Sequence, residues 1–144
     1  MGINRFICGG HNPESIHAVE HANTYYASIR KRTGDCETIS NNTKFTLEQI
    51  SLIKSYIFYA QHKLCNGIER FCPDYMMGES WRRLSSSNKN HIQPHDIILL
   101  NHELLEIHYI MQGYDQDRAH TEASKKYDYH TAALNFYRNQ GFNI

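Results

Sequence analysis

The sequence carries no excess charge of either sign, because fifteen Lys and Arg residues balance fifteen Asp and Glu residues. A broadly basic surface, which proteins that coat nucleic acid or anionic membranes need, is therefore not indicated. A few local arginines could still hold a nucleic acid in an enzyme. Hydrophobic residues make up 40% of the 144 residues, which is enough for one globular domain with its own core.

Several diagnostic patterns are missing as well. The four cysteines, Cys8, Cys36, Cys65 and Cys72, contain no CxxC pair, so no standard zinc site is indicated and reduced thiols are expected. No apolar run reaches about eighteen residues, so neither a transmembrane helix nor a membrane partner is predicted. Residues 1–10 lack the pattern of a signal peptide. There is also no phosphate-binding glycine loop, no GxSxG motif and no dinucleotide fingerprint.

Helical periodicity and capping signals predict a mostly α fold for residues 1–144, a compact single-domain bundle of about five helices. These helices begin near Asn12-Pro13, at the Thr46–Gln49 capping box, at Tyr75, after Asp96 as N-cap, and near Asp115. The second helix would end before Asn66, and the last would continue or restart through Thr131 to Arg138. Residues 1–11 are expected to be an extended or flexible segment. A short β-hairpin, with strands near residues 4–8 or 68–72, is the alternative left open.

The helix from Ile97 to Gln112 is the most informative element, because it is apolar on nearly all sides and yet contains His102, Glu103 and Glu106. His102 and Glu106 are four residues apart, so their side chains meet on one face. A buried carboxylate is costly unless it is paired or useful. The pattern fits an acid–base or metal site and a structural salt bridge between helices equally well.

The turn at Gly113 predicts that the next helix folds back as an αα-hairpin and brings His120 toward Glu103 and Glu106. Ser124 and Tyr127 share a face with His120. A His–Glu contact raises the pKa of the histidine and orients its tautomer, as general acid–base catalysis requires. The candidate catalytic residues are therefore His102, Glu103, Glu106, His120 and Tyr127.

No cofactor is predicted. A zinc metallopeptidase motif, HExxH, would need a histidine where Glu106 stands. His102, Glu106 and His120 are acceptable ligand types, but their spacing is not diagnostic, so a metal-dependent hydrolase stays an alternative. Candidate substrate-binding residues that could reach phosphate groups are Arg30, Arg70 and Arg82, and Arg83 beside Arg82 has the same chemistry.

Short motifs follow one another in a specific order between Tyr25 and Tyr129. They are Ile29-Arg30, Asn42 to Phe45, Arg70 to Asp74, Ser80 to Leu84, Asp96 to Glu103, Glu106, Ala119-His120 and Lys126 to Tyr129. In this order the chain resembles C-terminal toxin domains of bacterial polymorphic toxins and of some phage head-associated proteins. The resemblance implies an antibacterial effector that acts in the cytoplasm of a target cell and is neutralised by a cognate immunity protein. Many such domains are nucleases.

The function predicted from the sequence is an antibacterial nuclease that cleaves RNA without a metal. His102 and His120 would be the acid–base pair, and Glu103 or Glu106 would orient them. This hypothesis requires a basic surface around His102. One alternative is a metal-dependent hydrolase toxin. Another is a non-enzymatic phage structural or protein-binding module, in which the His–Glu contacts would be interhelical salt bridges.

Overall fold

The computed structural model describes residues 12–60, 62–64 and 67–144 of the chain. Within these residues there are seven α-helices, namely α1 Ile16–Lys31, α2 Asp35–Asn42, α3 Leu47–Lys54, α4 Tyr75–Leu84, α5 Pro94–Met111, α6 Gln116–Lys126 and α7 Tyr129–Asn139. A π-helical turn, Ser55–Tyr59, follows α3, and a 3-10 turn, Lys89–His91, precedes α5. Strands β1, His62–Leu64, and β2, Gly67–Glu69, pair antiparallel. Among the described residues, no helix combines the length and the hydropathy of a membrane span.

The prediction of a mostly α domain is confirmed, but the predicted number of helices is too low. Helix α2 was not predicted, because the residues just before Asp35 have the composition of a loop. The helix can begin at Asp35 because Gly34 adopts a φ of 87° and acidic residues occupy the first turn. The predicted last helix is divided into α6 and α7 at Tyr127 and Asp128. The Asp128 side chain caps α7 by accepting the backbone N–H of Thr131. Residues 1–11, including the strand position near residues 4–8, lie outside the described residues.

Three predicted helix boundaries are wrong for local reasons. Helix α1 begins after Ser15, whose hydroxyl accepts the Ala18 N–H, whereas Asn12 forms a turn ahead of it by accepting the Glu14 N–H. Helix α3 starts at the predicted capping box but ends at Lys54, well before Asn66. Asp96 is not the N-cap of α5, because it lies inside the helix and accepts the backbone N–H of Gln93.

Helix α5 is the centre of the packing and contacts α3, α4, α6 and α7. Two clusters of buried apolar side chains surround it. The first is built around Tyr26, Trp81 and Leu84, and the second around Tyr75, Leu99 and Tyr137. Because α5 is enclosed by four helices, nearly every polar group on its inner faces must find its partner within the protein.

A fully buried ion pair joins α4 to α5. The Arg83 guanidinium donates two hydrogen bonds of 2.9 Å to the two carboxylate oxygens of Asp96, and both side chains are 0% exposed. Arg83 Nη2 also lies 3.0 Å from Nε2 of His95. Since an arginine is a donor only, this ring nitrogen accepts, and His95 is neutral with its proton on Nδ1. Arg83 is therefore held in the core and does not reach phosphate groups.

Neutral His95 predicts that the fold loses stability in mild acid. Burial lowers the pKa of His95 to about 4, although the neighbouring Asp96 carboxylate acts in the opposite direction. In the unfolded chain the same group has a pKa of about 6.5, so between these values only the unfolded state takes up the proton. The free energy of unfolding should therefore be highest above about pH 6.5 and should fall by about 2–3 kcal/mol as the pH approaches 4. Urea unfolding of the wild type and of His95→Gln at about pH 7 and pH 5 measures this, because the variant should lose less stability over that interval. Equal losses in the two proteins would contradict the assignment to His95.

Candidate active site

Glu106 is the centre of a polar cluster between α5, α6 and the π-helical turn. Its Oε1 lies 3.1 Å from Nε2 of His102 and 3.0 Å from Nδ1 of His120. Its Oε2 lies 2.5 Å from the Tyr56 hydroxyl and 2.8 Å from Nε2 of Gln116, both of which donate to it. Glu106 is only 2% exposed, so the carboxylate exchanges its water shell for contacts with four protein side chains, of which Tyr56 and Gln116 are donors.

Two local features of the chain bring these groups together. Gly113 has a φ of 99°, which lets the chain reverse directly after α5, and Asp115 caps α6 by accepting the Arg118 N–H. The predicted αα-hairpin is therefore confirmed, and it places His120 against Glu106. Tyr56 arrives from the other side, on the π-helical turn Ser55–Tyr59. Single π turns of this kind are often found at functional sites.

The charges in the cluster are set by burial and by hydrogen bonds. Burial acts to raise the pKa of Glu106, but its hydrogen bonds, first of all those from His102 and His120, outweigh this and hold the pKa well below the usual range. Glu103 differs, because burial and then the charge of Glu106 raise its pKa well above the usual range. The hydrogen bond to Glu106 raises the pKa of His120. The cluster therefore contains one strongly ionised carboxylate beside one carboxyl group that resists ionisation.

Both ring nitrogens of His102 are committed to acceptors. Nδ1 lies 2.9 Å from the carbonyl oxygen of Tyr127, and Nε2 lies 3.1 Å from the Glu106 carboxylate. A carbonyl oxygen only accepts, so Nδ1 carries a proton. Nε2 can donate to Glu106 only if it carries a second proton. Without that proton, its lone pair faces the Glu106 carboxylate, and a metal cation between the two groups would satisfy both.

His102, Glu106 and His120 have the composition of a metal site. Each offers one ligand atom, and the three atoms lie within 4.8 Å of one another.

No protein-family model, curated protein or solved structure matches this chain. The resemblance to toxin domains accordingly stays a prediction.

Two hollows lie beside the cluster. The large hollow has a volume of about 230 Å³ and is lined by Glu106 and Gln116 together with Tyr26, Phe71 and Cys72. The small hollow has a volume of about 160 Å³ and is lined by His102 together with Met76, Ser124, Tyr129 and His130. Asp74, Met77, Glu103 and His120 line both hollows. A ligand in either hollow would therefore lie against the polar cluster.

The structure brings together four of the five predicted catalytic residues, in unequal roles. Glu106 contacts both imidazoles, whereas Glu103 faces the two hollows. Tyr127 takes part through its backbone carbonyl, which accepts from His102, rather than through its hydroxyl. The position of Tyr127 was predicted from the helical spacing with His120, but α6 ends at Lys126.

The predicted phosphate-binding arginines do not line the hollows. Arg30 donates to the Phe58 carbonyl, Arg82 is paired with Glu79, and Arg70 is exposed. Of the described residues that line the two hollows, none is Lys or Arg. The basic surface that the RNase hypothesis requires around His102 is not found among these lining residues.

Three residues of the site were not predicted from the sequence. Gln116 is four residues before His120 on the same face of α6, so its spacing was an available signal. Asp74 precedes α4 and caps it by accepting the Met77 N–H, which its place after Pro73 could have suggested. Tyr56 had no such signal, because the periodicity of α3 gives no sign of a π turn.

Proposed function

We propose that the protein is a metal-dependent hydrolase in which His102, Glu106 and His120 bind one divalent transition-metal ion, with zinc as the best fit. The observation that carries this proposal is the convergence of the three ligand atoms within 4.8 Å. Two histidines and one glutamate are the protein ligands of several catalytic zinc sites, which keep one position for water or substrate.

Two of the three distances between the proposed ligand atoms are close to those around such an ion. Ligand atoms at about 2.0–2.1 Å from a tetrahedral zinc are about 3.4 Å apart. The two nitrogen-to-oxygen distances of 3.1 Å and 3.0 Å are slightly shorter than this, and all three ligand atoms lie within 4.8 Å of one another. The His102 Nδ1–H bond to the Tyr127 carbonyl is the outer contact that metal-binding histidines usually make, and it points Nε2 at the proposed ion.

The same contacts count against His102 as a proton carrier in a metal-free nuclease. A general acid or base must present a nitrogen to the substrate, and both nitrogens of His102 face protein acceptors. A bound ion would lower the pKa of a water molecule and polarise the bond to be cleaved. Tyr56 and Gln116 orient Glu106, and Glu103 lies where a substrate would enter. In line with the resemblance, we propose that this hydrolase is an antibacterial effector with a cognate immunity protein.

Metal binding tests the proposal directly. The purified chain, stripped with a chelator and dialysed against Zn²⁺, should retain one equivalent of metal, as measured by plasma mass spectrometry and titration calorimetry. His120→Ala should weaken binding by at least about tenfold to a hundredfold, the size of effect that even outer-shell changes produce. The side chain of His120 is 61% exposed, so this variant should keep the fold.

His108→Ala is the matched control, because His108 is an exposed histidine on α5 away from Glu106. It should bind zinc as the wild type does. A wild type that binds no metal, or a His120→Ala variant that binds it equally well, would rule out the site.

A metal-free RNase is the second candidate, and one observation favours it. His120 is exposed and its pKa is raised by Glu106, as a general acid would need. Under this alternative the chain would cleave RNA in the presence of excess chelator, whereas a metal-dependent hydrolase would be inactive under those conditions.

A further inference from the structure

Glu103 is the least satisfied acidic side chain of the site. Its side chain is on the buried face of α5 and is 5% exposed, and Oε2 has no hydrogen-bond partner among the described residues. Glu103 nevertheless lines both hollows. A buried carboxyl oxygen without a donor is costly, so its retention beside two hollows points to a donor that arrives with a ligand.

The surroundings of Glu103 indicate which donor this is. Asp74 is a second acidic residue that lines both hollows, and Glu106 adds a third carboxylate to the large hollow. No Lys or Arg is among the described residues that line either hollow. Acidic side chains with no basic partner beside them favour a cationic group over a phosphate. The rings of Tyr26 and Phe71 line the large hollow, and aromatic faces also attract cations.

The volumes limit the size of the ligand group. Sites that enclose a drug-sized molecule have volumes of roughly 300–1,000 Å³. The hollows, at about 230 Å³ and 160 Å³, are smaller, which suits one side-chain-sized group with the remainder of the ligand outside.

From these observations we infer that the hollows bind a guanidinium or alkylammonium group of the substrate, held by Glu103 and Asp74 beside the proposed metal ligands. The inference rests on the proposed function in taking the hollows as the substrate site. It specifies the substrate class as a cationic one, either a basic peptide or a free polyamine, rather than a polyanion. Glu103 would determine specificity by accepting N–H donors from the cationic group.

The test is a binding titration on the metal-free protein, so that it does not depend on metal binding. Met77 lines both hollows, and the ¹³C-labelled methyl group of its side chain reports on ligands there by NMR. Agmatine represents a free amine, and N-acetylarginine amide represents a peptide. At least one of them should shift the Met77 signal saturably, and butyrate and butanol should not. Glu103→Gln should weaken this binding by roughly tenfold or more, the loss expected for one charged hydrogen bond.

Two controls keep the inference separate from folding and from the metal site. Glu103→Gln should retain the zinc affinity of the wild type and its thermal unfolding midpoint. Glu122→Gln removes a carboxylate of the α6 surface that is paired with Lys125, and it should bind the probes normally. Binding of agmatine alone would identify a free amine as the source, and binding of the peptide probe alone would identify a polypeptide. If neither probe binds, if butyrate binds as well as they do, or if Glu103→Gln binds them as tightly as the wild type, the inference is wrong whatever the zinc result.

Discussion

Arg83→Met is expected to lower the free energy of unfolding by about 3–5 kcal/mol, which is the usual effect of removing one partner of a buried ion pair. Arg83 and Asp96 are each 0% exposed, so the variant leaves the Asp96 carboxylate without its guanidinium and out of reach of water. A domain of this size is stabilised by about 5–15 kcal/mol in total, so the loss is a large fraction of it. Urea denaturation followed by circular dichroism at neutral pH measures the change.

Lys125→Met is the control for Arg83→Met, since it removes a cation from a surface pair with Glu122 in which the lysine side chain is 64% exposed. Its cost should stay below about 1 kcal/mol. The double variant Arg83→Met/Asp96→Leu should recover part of the loss, because no buried charge is left alone. Recovery should be incomplete, since Asp96 also accepts the Gln93 N–H at the start of α5. If Arg83→Met costs no more than Lys125→Met, the pair does not hold α4 to α5.

Expression of the chain from a tightly controlled promoter is expected to arrest growth of a bacterial host, and His120→Ala is expected to abolish the arrest. The reason is that His120 is a ligand in the proposed hydrolase, and loss of such a group lowers turnover by on the order of a hundredfold or more. Colony counts after induction, at matched soluble protein levels, give the measurement. The nucleic acids and proteins of arrested cells then show which polymer has been cleaved.

His108→Ala, on the exposed side of α5, should be as toxic as the wild type. If expression of the wild type does not arrest growth, the effector proposal is wrong. The zinc-binding measurement would still test the metal site independently. If His120→Ala arrests growth as strongly as the wild type, toxicity does not depend on the cluster. A non-enzymatic binding module would then be the better explanation, with the His–Glu contacts acting as salt bridges.

The parts of the fold that could be predicted are those with local signals. Helix α4 begins at Tyr75, as predicted, and its buried residues Trp81 and Leu84 are three apart, a spacing that places them on one helical face. The hairpin of α5 and α6 follows from Gly113 and Asp115 in the same way. Helix α2 was not predicted because it is stabilised by contacts with other helices. Asp35 accepts hydrogen bonds from Lys54 on α3 and from the indole of Trp81 on α4, and no pattern within α2 itself indicates either contact.

For the candidate site, spacing identified the side chains on α5 and α6 but not their partners from elsewhere. The i, i+4 relation of His102 and Glu106, with the turn at Gly113, was enough to bring His120 to the same carboxylate. Arg30, Arg70 and Arg82 were predicted to bind phosphate from their charge alone. The charge of a residue does not indicate whether its side chain faces the site, and these three do not line the hollows. Tyr56 could not be predicted, because its place depends on a π turn that is formed by packing rather than by local preference.

The sequence distances within the cluster have a consequence for the order in which the site assembles. The hydrogen bonds of Glu106 to His102 and His120 span 4 and 14 residues, whereas its bond to Tyr56 spans 50. Closing a short loop costs less chain entropy than closing a long one, so the α5–α6 half can form early and persist when more distant segments detach. Refolding chains would then acquire the ion-binding half before the Tyr56 half, and a bound ion would act as a nucleus onto which the remaining helices condense.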